Sequence, residues 1–553
     1  MVDRSPVQVT FRGRRLEVRP SETLLAALSR RGLPLLQRSI RYHRPRAPFC
    51  GEGFCTQCLV RVNGVPNVRA CRYLPRAGDR ITTENSWPSP AFDLFGVIDD
   101  LFPHGIDVLR GFRRPAFARP LYQRLVRRMA GYGELPDATP APPAPAERLT
   151  TGVLVIGAGA AGRAASQRAA IQGAPTLLID RGELPAPPEG VEARSGLTAV
   201  FLPAPVPGAS RPFELLATEG DRTVSIAAEK VVLATGAYDA NLLFPGNDRP
   251  GVMTAEGALA MRSSSGDPPF RQALLVGGTA RTIEMIDRFG PRIAAVVAPG
   301  TVHGRIAEQA VALGIPVFPR TLVVGANGRR RVRSVELRGR SDGSVHRLSV
   351  DAIVFAHRRL PHTQLFFQVG ARMHWRGGGG AYYPTLDEGL RTTVPGIWAA
   401  GEVAGFRDPT GIEASGIAAG ESALGHAVSM SALPARVPEV GPHELEGYYR
   451  ELLRGHRTSG KCVACPCEDV LLTELTDAHE RGYRGVEVIK RYTSLGTGFC
   501  QGRYCLSESL LLLSLWEGRP PAEVGYITQR PPVVPVTLGA LSQLPAEPEG
   551  SGS

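Results

Sequence analysis

Nine cysteines occur in the 553-residue sequence, and eight of them form two groups with short, regular spacings. The first group is Cys50, Cys55, Cys58 and Cys71, in the pattern C-x4-C-x2-C-x12-C. Ferredoxin-type loops that hold a [2Fe–2S] cluster begin with C-x4-C-x2-C and take a fourth thiolate from a later element. Structural zinc is the alternative, but zinc sites usually combine two short cysteine pairs, and Cys71 stands alone. The first group therefore predicts a [2Fe–2S] cluster.

The second group lies near the C-terminus and consists of Cys465, Cys467, Cys500 and Cys505. Its C-x-C pair is too tight for common zinc spacing, so a second [2Fe–2S] cluster is preferred over zinc. Two helices are predicted between its pairs, the first with Asp469 as N-cap and Gly482 after its end. Cys462 is predicted to be a spare, and its exchange with Cys465 is left open.

A third stretch, T-G-V-L-V-I-G-A-G-A-A-G, carries Gly157, Gly159 and Gly162 directly after a short apolar run. We expect Gly157 to make a tight turn and Gly159 to let the backbone approach a pyrophosphate on a helix N-terminus. Gly162 would let that helix pack closely on the strand. Asp180 ends the next apolar run and is placed to accept hydrogen bonds from a ribose. The pattern predicts a dinucleotide site rather than an ordinary glycine-rich loop.

Two later stretches favour FAD in that site. V-V-L-A-T-G is a buried strand whose small last residues, Thr235 and Gly236, would lie against a cofactor. G-I-W-A-A-G-E ends in Gly401 and Glu402, as in flavoproteins where a strand delivers a glycine and an acid to the ribityl and pyrophosphate groups. The usual acid is Asp, so this match is imperfect. A helix predicted from about Gly411 would direct its positive end at the isoalloxazine.

A second strand–glycine–helix unit begins at residue 274, with its second strand predicted over residues 293–297. Thr279 and Thr282 stand where the second and third glycines should be, and no acid ends the second strand. We interpret this unit as a nicotinamide-type domain retained as scaffold. A working NADH site is the alternative.

Composition narrows the classes of function. An apolar content of 43% and a charged content of 21% are ordinary for a soluble globular protein. The net charge is +12, but only three of the 64 basic residues are lysines, and no nucleic-acid motif is present. Eleven of the first 46 residues are arginine, which we interpret as solvated surface charge, with attraction of an acidic redox partner as the alternative. With no signal core or membrane-length apolar run, a cytoplasmic protein is expected, in which cysteines indicate metal rather than disulfides.

These patterns predict an α/β protein: a flavoprotein with two Rossmann-like dinucleotide-binding domains, an N-terminal β-grasp ferredoxin domain and a small helical C-terminal iron–sulfur domain. In the N-terminal domain, a hairpin turning at Gly13 is followed by a helix capped by Ser21. The predicted boundaries are 1–90 (β-grasp [2Fe–2S] domain), 91–147 (wrapping segment and Pro/Ala linker), 148–265 with 352–435 (discontinuous FAD-binding domain), 266–351 (degenerate NAD-binding-like domain), 436–520 (helical [2Fe–2S] domain) and 521–553 (extended tail). Within the tail, residues 545–553 are expected to be disordered.

The order of parts resembles one family: the α subunits of heterotetrameric sarcosine oxidase, hydrogen cyanide synthase, opine oxidase and the dye-linked proline and hydroxyproline dehydrogenases. The stretches that carry the resemblance include C-G-E-G-F-C-T-Q-C, E-N-S-W-P-S, L-L-F-P-G-N-D-R-P-G-V-M-T-A, I-K-R-Y-T-S-L-G-T-G-F-C-Q-G-R-Y-C and R-P-P-V-V-P-V-T-L-G-A-L. Sarcosine oxidase α subunits continue into a folate-binding module that is not found here, so folate-linked chemistry is not implied. The C-terminal cysteines are kept, as in the cyanide synthase and opine or hydroxyproline relatives.

The resemblance implies the electron-transfer α subunit of a hetero-oligomeric FAD-dependent dehydrogenase or oxidase of secondary amino acids such as proline, hydroxyproline, sarcosine or an opine. In the family the first nucleotide site holds FAD or, in some members, NAD or ATP. A separate FAD-containing β subunit carries the amino-acid oxidation site, often with an FMN at the contact between the subunits, and an electron acceptor is a further partner.

The sequence does not identify catalytic residues, because His357, His362 and His374 are scattered. Two alternative functions are an NAD(P)H-dependent iron–sulfur flavoprotein reductase and a non-catalytic iron–sulfur scaffold or sensor. No nucleic-acid partner and no transmembrane segment are expected. Attachment to the inner face of the membrane is an alternative to a free cytoplasmic protein.

Overall fold

The computed structural model describes residues 5–102, 120, 145–302, 304–438, 445–457 and 460–544. The chain forms two compact units. The first consists of Met1–Ala138, Asp239–Arg358 and Glu444–Tyr526, and the second of Thr139–Tyr238, Arg359–His443 and Ile527–Ser553. None of the helices in the described residues combines the length and the apolar character that a membrane span requires.

A mixed five-stranded sheet and one helix form the N-terminal part of the first unit. The strands are, in sheet order, Arg14–Val18, Val7–Phe11, Arg80–Thr82, Leu59–Val62 and Val65–Arg69, and the helix is Leu24–Arg30. The predicted hairpin is confirmed, because Val9 pairs with Leu16 and both are buried in a core shared with the helix. Its turn has positive φ at Arg12 and Gly13, as two-residue hairpin turns of the I′ type require.

The prediction that Ser21 caps this helix is wrong. Thr23 is the N-cap: its backbone is extended and its hydroxyl accepts a hydrogen bond from the Ala26 amide at 3.4 Å. Ser21 lies two residues too early and has a φ of +60°, outside the extended region that an N-cap adopts.

Short elements complete this part of the first unit. They are the strand pairs Gln37–Arg38 with Pro45–Arg46 and Pro88–Ser89 with Phe92–Asp93, the 3-10 helix Leu94–Gly96 and the helix Val97–Leu101.

A parallel five-stranded sheet lies in the middle part of the first unit. Its strands are, in sheet order, Val252–Thr254, Ala352–Phe355, Ala273–Val276, Ile293–Val297 and Val317–Phe318. The helices are Ala255–Ser265, Ala280–Phe289 and Gly304–Ala312, and a separate antiparallel sheet contains Thr321–Asn327, Ser334–Gly339 and Val345–Ser349. The strands predicted for the second glycine unit are therefore confirmed.

The C-terminal part of the first unit is mainly helical. Its helices are Leu445–Gly455, Leu472–Glu480, Val486–Thr493, Leu506–Glu517 and Pro521–Val524, and Val463–Cys465 pairs with Val470–Leu471. Both predicted helices are present, and Gly482 follows the first with a φ of +92°. Asp469 is not the N-cap, however, because the helix begins three residues later, after Leu471.

A seven-stranded sheet is the centre of the second unit. Six strands run, in sheet order, Glu192–Arg194, Thr176–Ile179, Glu147–Ile156, Arg222–Leu233, Phe213–Glu219 and Thr198–Phe201, and the seventh, Ile397–Ala399, pairs with Arg222–Leu233. The other elements of this unit are the helices Ala160–Ile171, Gln364–Gln368, Pro409–Ala423 and Leu538–Leu541, the strand Arg359–Pro361 and the hairpin Met373–Arg376 with Ala381–Pro384.

The four residues Val153 to Ile156 are almost completely buried, as the continuous apolar run predicts for a strand covered on both faces. A Cβ added at Gly416 would lie 2.1 Å from the Ala161 carbonyl oxygen. The helices Ala160–Ile171 and Pro409–Ala423 therefore pack at a distance that only small residues permit.

The six predicted domain boundaries stay predictions. Most of the predicted wrapping segment and linker (103–119 and 121–144) lies outside the described residues, as does the segment 545–553 for which disorder is expected.

Candidate cofactor sites

The first glycine loop joins the strand Glu147–Ile156 to the helix Ala160–Ile171 in the second unit. Gly157 has a φ of +105°, and a Cβ there would lie 2.3 Å from the Ala234 carbonyl oxygen. At Gly162 a Cβ would lie 1.7 Å from the Gly157 carbonyl oxygen. At Gly159 a Cβ would have no neighbour within 4 Å. Packing therefore requires two of the glycines, while Gly159 borders open space at the helix N-terminus.

Asp180 holds this loop in place. Its Oδ2 accepts a hydrogen bond from the Ala158 amide at 2.7 Å, and its Oδ1 accepts one from the Gly182 amide at 2.7 Å. A carboxylate has about four acceptor positions, so these two bonds leave capacity for a ribose hydroxyl. The spacing of Asp180 from the glycines thus brings the acid to the loop, as predicted for a dinucleotide site.

Thr235 and Gly236 end the neighbouring strand. The Thr235 hydroxyl donates to the His362 carbonyl at 2.9 Å, and the Gly236 carbonyl accepts from the His362 amide at 3.0 Å. A Cβ on Gly236 would lie 4.0 Å from Glu402 Oε2, so the ends of two strands that are far apart in sequence meet here. Gly401, beside Glu402, has a φ of +75° and donates its amide to Ser415 Oγ at 2.9 Å.

Glu402 is engaged by two arginines that the sequence reasoning missed. Arg359 donates to Oε1 at 2.6 Å and to Oε2 at 2.8 Å, a bidentate pair, and Arg407 donates to Oε1 at 3.3 Å. Arg407 also donates to the Tyr383 hydroxyl at 2.7 Å. Glu402 is about one-fifth exposed. The two arginines therefore place guanidinium groups beside a partly exposed carboxylate at this edge of the site. No local spacing signals these arginines, because one of them lies 43 residues from its partner.

The helix predicted from about Gly411 begins slightly earlier, at Pro409, with Asp408 as N-cap. Asp408 Oδ2 accepts from the Gly411 amide at 3.0 Å, which uses one of the free donors of the first turn. Open space at Gly159, a helix N-terminus and a strand-end acid are the features a dinucleotide requires. The residues of the second unit therefore fit such a cofactor.

The second glycine loop, in the first unit, is filled by its own side chains. Thr282 Oγ1 accepts hydrogen bonds from the Gly278 amide at 2.9 Å and the Thr279 amide at 3.2 Å. Thr279 Oγ1 donates to the Ala356 carbonyl at 2.8 Å. A Cβ on Gly277 would lie 2.6 Å from the Thr282 side chain, so this hydroxyl sits where a third glycine would leave room. Two amides that would face a pyrophosphate are thus bound within the protein.

The first cysteine group is gathered in one buried place. Cys50, Cys55, Cys58 and Cys71 are at most 7% exposed. Burial raises the pKa of the Cys50 thiol, but hydrogen bonds from Cys55 and Cys71 hold it well below its usual range. Cys71 is also hydrogen-bonded to Cys58, so all four sulfurs are connected.

The helix Ala255–Ser265 fixes the approach to this loop. The Thr254 amide donates to the Phe49 carbonyl at 3.1 Å, and a Cβ on Gly257 would lie 2.1 Å from the same oxygen. Gly51 and Gly53 both have positive φ, as expected for a loop that curls around a bound group.

The second cysteine group forms two hydrogen-bonded pairs, Cys467 with Cys500 and Cys465 with Cys505. Cys465 ends a strand of the Val463–Leu471 hairpin, and Cys505 precedes the helix Leu506–Glu517, so a hairpin and a helix start supply the four thiols. Eight thiols in two sets of four fit the donor chemistry of two [2Fe–2S] clusters. In the described residues, no three His, Cys, Asp or Glu side chains form a site for a single metal ion.

Cys462 is buried within the first unit, and burial raises the pKa of its thiol above the usual range. Its role as a spare stays a prediction.

The three histidines have separate surroundings: both ring nitrogens of His357 are buried, His362 packs on Tyr238, and His374 lies 3.3 Å from the Thr385 hydroxyl.

Three protein-family models match the sequence. The 2Fe-2S iron-sulfur cluster binding domain matches residues 4–86, the pyridine nucleotide-disulphide oxidoreductase matches residues 206–427, and the sarcosine oxidase A3 domain matches residues 461–543. These matches agree with iron–sulfur and flavin cofactors and confirm the predicted fold class.

Three similar curated proteins are named as enzyme subunits. The α subunit of sarcosine oxidase from Rhizobium meliloti is 29% identical over 98% of this chain and 58% of its own length. An opine oxidase subunit of the same species is 27% identical over 71% of this chain and 98% of its own. The HcnB subunit of hydrogen cyanide synthase from Pseudomonas aeruginosa is 25% identical over 71% and 99%. This chain thus spans little more than half of the sarcosine oxidase subunit.

The fold also matches a solved structure over its full length. The crystal structure of L-proline dehydrogenase from P. horikoshii superposes with a TM-score of 0.70, at 22% identity and 98% coverage of both chains. At this identity the match establishes the arrangement of the chain.

Proposed function

Because this chain belongs to the family that includes subunits of sarcosine oxidase, opine oxidase and hydrogen cyanide synthase, we propose that it is an electron-transfer subunit. The assembly is a hetero-oligomeric FAD-dependent dehydrogenase or oxidase acting on the CH–NH bond of a secondary amino acid of the proline, hydroxyproline, sarcosine or opine type. One observation supports this most: a glycine loop bordering open space and two sets of four thiols, seven of the eight buried, occur in one chain.

The residues have distinct tasks in this proposal. Gly157, Gly159 and Gly162 place the backbone against a pyrophosphate, and Asp180 and the strand ends at Thr235, Gly236, Gly401 and Glu402 border the rest of an FAD. The two clusters are held by Cys50, Cys55, Cys58 and Cys71 and by Cys465, Cys467, Cys500 and Cys505. A flavin would accept two electrons as one hydride and each iron–sulfur cluster would accept one electron, so together these groups would supply the conversion between two-electron and one-electron transfer.

The chain's own groups isolate this conversion from water. The thiols of both sets are buried or nearly so, and Gly159 is the N-cap of a helix, whose N-terminus stabilises phosphate charge. Arg359 and Arg407 neutralise Glu402, which keeps a carboxylate from repelling the phosphates.

A separate β subunit carries the FAD that oxidises the amino acid, with an FMN at the contact between the subunits, and an electron acceptor completes the assembly. Such a shared flavin needs a dry and extensive interface. We place the complex in the cytoplasm.

The proposal is tested by expressing the chain alone and together with its β subunit, then measuring amino-acid oxidation with an artificial dye. The isolated chain should show no turnover of proline, hydroxyproline, sarcosine or opines, and co-expression should restore it. The control is the β subunit expressed by itself, which should reduce the dye more slowly than the complex. Amino-acid oxidation by the isolated chain, or failure to co-purify with any flavoprotein, would contradict the division of labour.

A further inference from the structure

The two loops that carry the cysteine groups contact each other within the first unit. Thr56 lies between Cys55 and Cys58 in the N-terminal loop, next to Gln57, whose side chain reaches the Pro466 carbonyl. Cys500 and burial raise the pKa of the Cys467 thiol, and the hydroxyl and backbone amide of Thr56 act on the same sulfur in the opposite direction. These two donors come from a loop 411 positions away in the chain. A residue of the N-terminal cysteine loop therefore forms part of the surroundings of the second cysteine group.

Buried polar groups hold the two loops together. The Gln57 side-chain amide donates to the Pro466 carbonyl at 3.0 Å, and Arg46 donates to Gln57 Oε1 at 3.4 Å. Arg46 also forms an ion pair with Asp469. Gln57, Arg46 and Asp469 are all at most 5% exposed. A buried charge pair with additional hydrogen bonds is costly to break, so this contact is a fixed part of the fold.

A second set of contacts joins side chains of the C-terminal cysteine loop to side chains of the N-terminal one. The Arg503 guanidinium lies 4.3 Å from the centre of the Phe54 ring, and the Tyr504 hydroxyl lies 3.4 Å from Glu52 Oε2. Arg503 and Tyr504 stand between Cys500 and Cys505, and Glu52 and Phe54 stand between Cys50 and Cys55. The two cysteine loops are therefore interlocked.

We infer that the two cysteine sites work as one pair, in which Thr56 sets the reduction potential of the C-terminal centre and electrons pass directly between the centres. This inference rests on the proposed function, since it requires both clusters. A hydrogen bond to a cysteine sulfur stabilises the extra negative charge of the reduced cluster, and such bonds are among the determinants of its potential. In each exchange one centre loses one electron and the other gains it, with no bond or proton transferred.

The experiment uses the full-length protein with both clusters and compares Thr56→Val with Thr56→Ser. Valine has the shape of threonine without the hydroxyl, while serine keeps the donor. Redox titrations followed by electron paramagnetic resonance measure the midpoint potential of each cluster, and the Cys505→Ser variant identifies the signal of the C-terminal one. Thr56→Val should lower the potential of the C-terminal cluster more than that of the N-terminal cluster, and Thr56→Ser should restore it, with the iron content of both variants unchanged.

An unchanged C-terminal potential in Thr56→Val, or an equal shift of both clusters, would overturn the inference while leaving the proposed function intact. Zinc, or iron for only one cluster, would overturn both. A second measurement covers the case in which the valine variant does not fold. In the wild-type protein the resonance lines should broaden when both clusters are reduced, compared with half-reduced samples. Unbroadened lines would contradict a directly coupled pair.

Discussion

The glycine loops at Gly157 and at Gly277 both join a buried parallel strand to a helix, but they satisfy their backbone amides differently. In the first, Gly159 borders open space, and the acid Asp180 holds the turn from the side. In the second, the Thr282 hydroxyl accepts from two of the loop amides. Buried N–H groups need a partner from either a ligand or the protein. The first loop therefore has room for a ligand at Gly159, whereas the second supplies its own acceptor to two of its amides.

The two loops differ at the third position of the glycine pattern, which is Gly162 in the first loop and Thr282 in the second. Gly162 is needed for close packing, and without a side chain it offers no acceptor to the loop amides. Thr282 instead accepts from two loop amides, while the strand and the helix on either side of the loop are kept. These contacts agree with the prediction that the second glycine unit is a nicotinamide-type domain retained as scaffold, which stays a prediction.

The largest expected effect comes from Gly162→Ala compared with Gly159→Ala. The added methyl at residue 162 would overlap the Gly157 carbonyl oxygen, so we expect destabilisation by about 3 kcal/mol or more and failure to retain nucleotide. At residue 159 the methyl meets no protein atom and the backbone φ is −65°, which suits alanine. Gly159→Ala should fold with stability equal to the wild type or raised by ~0.4–1 kcal/mol, yet lose the nucleotide.

Thermal unfolding and the flavin absorbance of the purified variants measure the two effects separately. If Gly159→Ala kept a full complement of nucleotide, the open space at this loop would not be the binding site. If it unfolded like Gly162→Ala, the comparison between the two positions would not hold.

A smaller effect is expected from Thr282→Ala in the second loop. Thr282 is completely buried, and its loss leaves two loop amides without their acceptor, which costs ~1–3 kcal/mol. Thr282→Ser keeps the hydroxyl and should retain most of the stability. The nucleotide content should match the wild type in both variants. Denaturant unfolding and nucleotide analysis check these results, and loss of nucleotide in Thr282→Ala would place the ligand at the second loop instead of the first.

The smallest change in flavin absorbance is expected when NADH or NADPH is added. Because the amides at Gly278 and Thr279 are bound by Thr282, we expect no bleaching of the flavin when either nucleotide is mixed with the protein in a stopped-flow experiment. Bleaching within the turnover time would identify the second loop as a working nicotinamide site and favour the reductase alternative.

Local patterns predict the elements around both loops because each pattern involves neighbouring residues. The apolar run before Gly157, the acid at Asp180 and the strands of the second glycine unit all appear where the spacing places them. The hairpin at Gly13 follows from alternating apolar residues around a permissive turn.

Contacts between distant segments account for what the sequence does not reveal. The local sequence pattern predicts Asp469 as an N-cap. In the structure Asp469 pairs with Arg46, 423 positions away, and the φ of Asp469 is +56°. The arginines at Glu402 and the bond from Gln57 to Pro466 likewise depend on how separate segments fold together. Local residue types identify a possible ligand or cap, whereas its actual partner is fixed by tertiary packing. The assignment of the cofactor-binding residues stays a prediction.

The most direct test of the central claim is to denature the purified wild-type protein and identify and count the nucleotide that it releases. The account predicts one FAD per chain, lost in Gly159→Ala and kept in Thr282→Ser. Release of NAD or ATP instead would turn the first loop from part of a redox centre into a structural nucleotide holder. Two nucleotides per chain would contradict the proposed difference between the two loops.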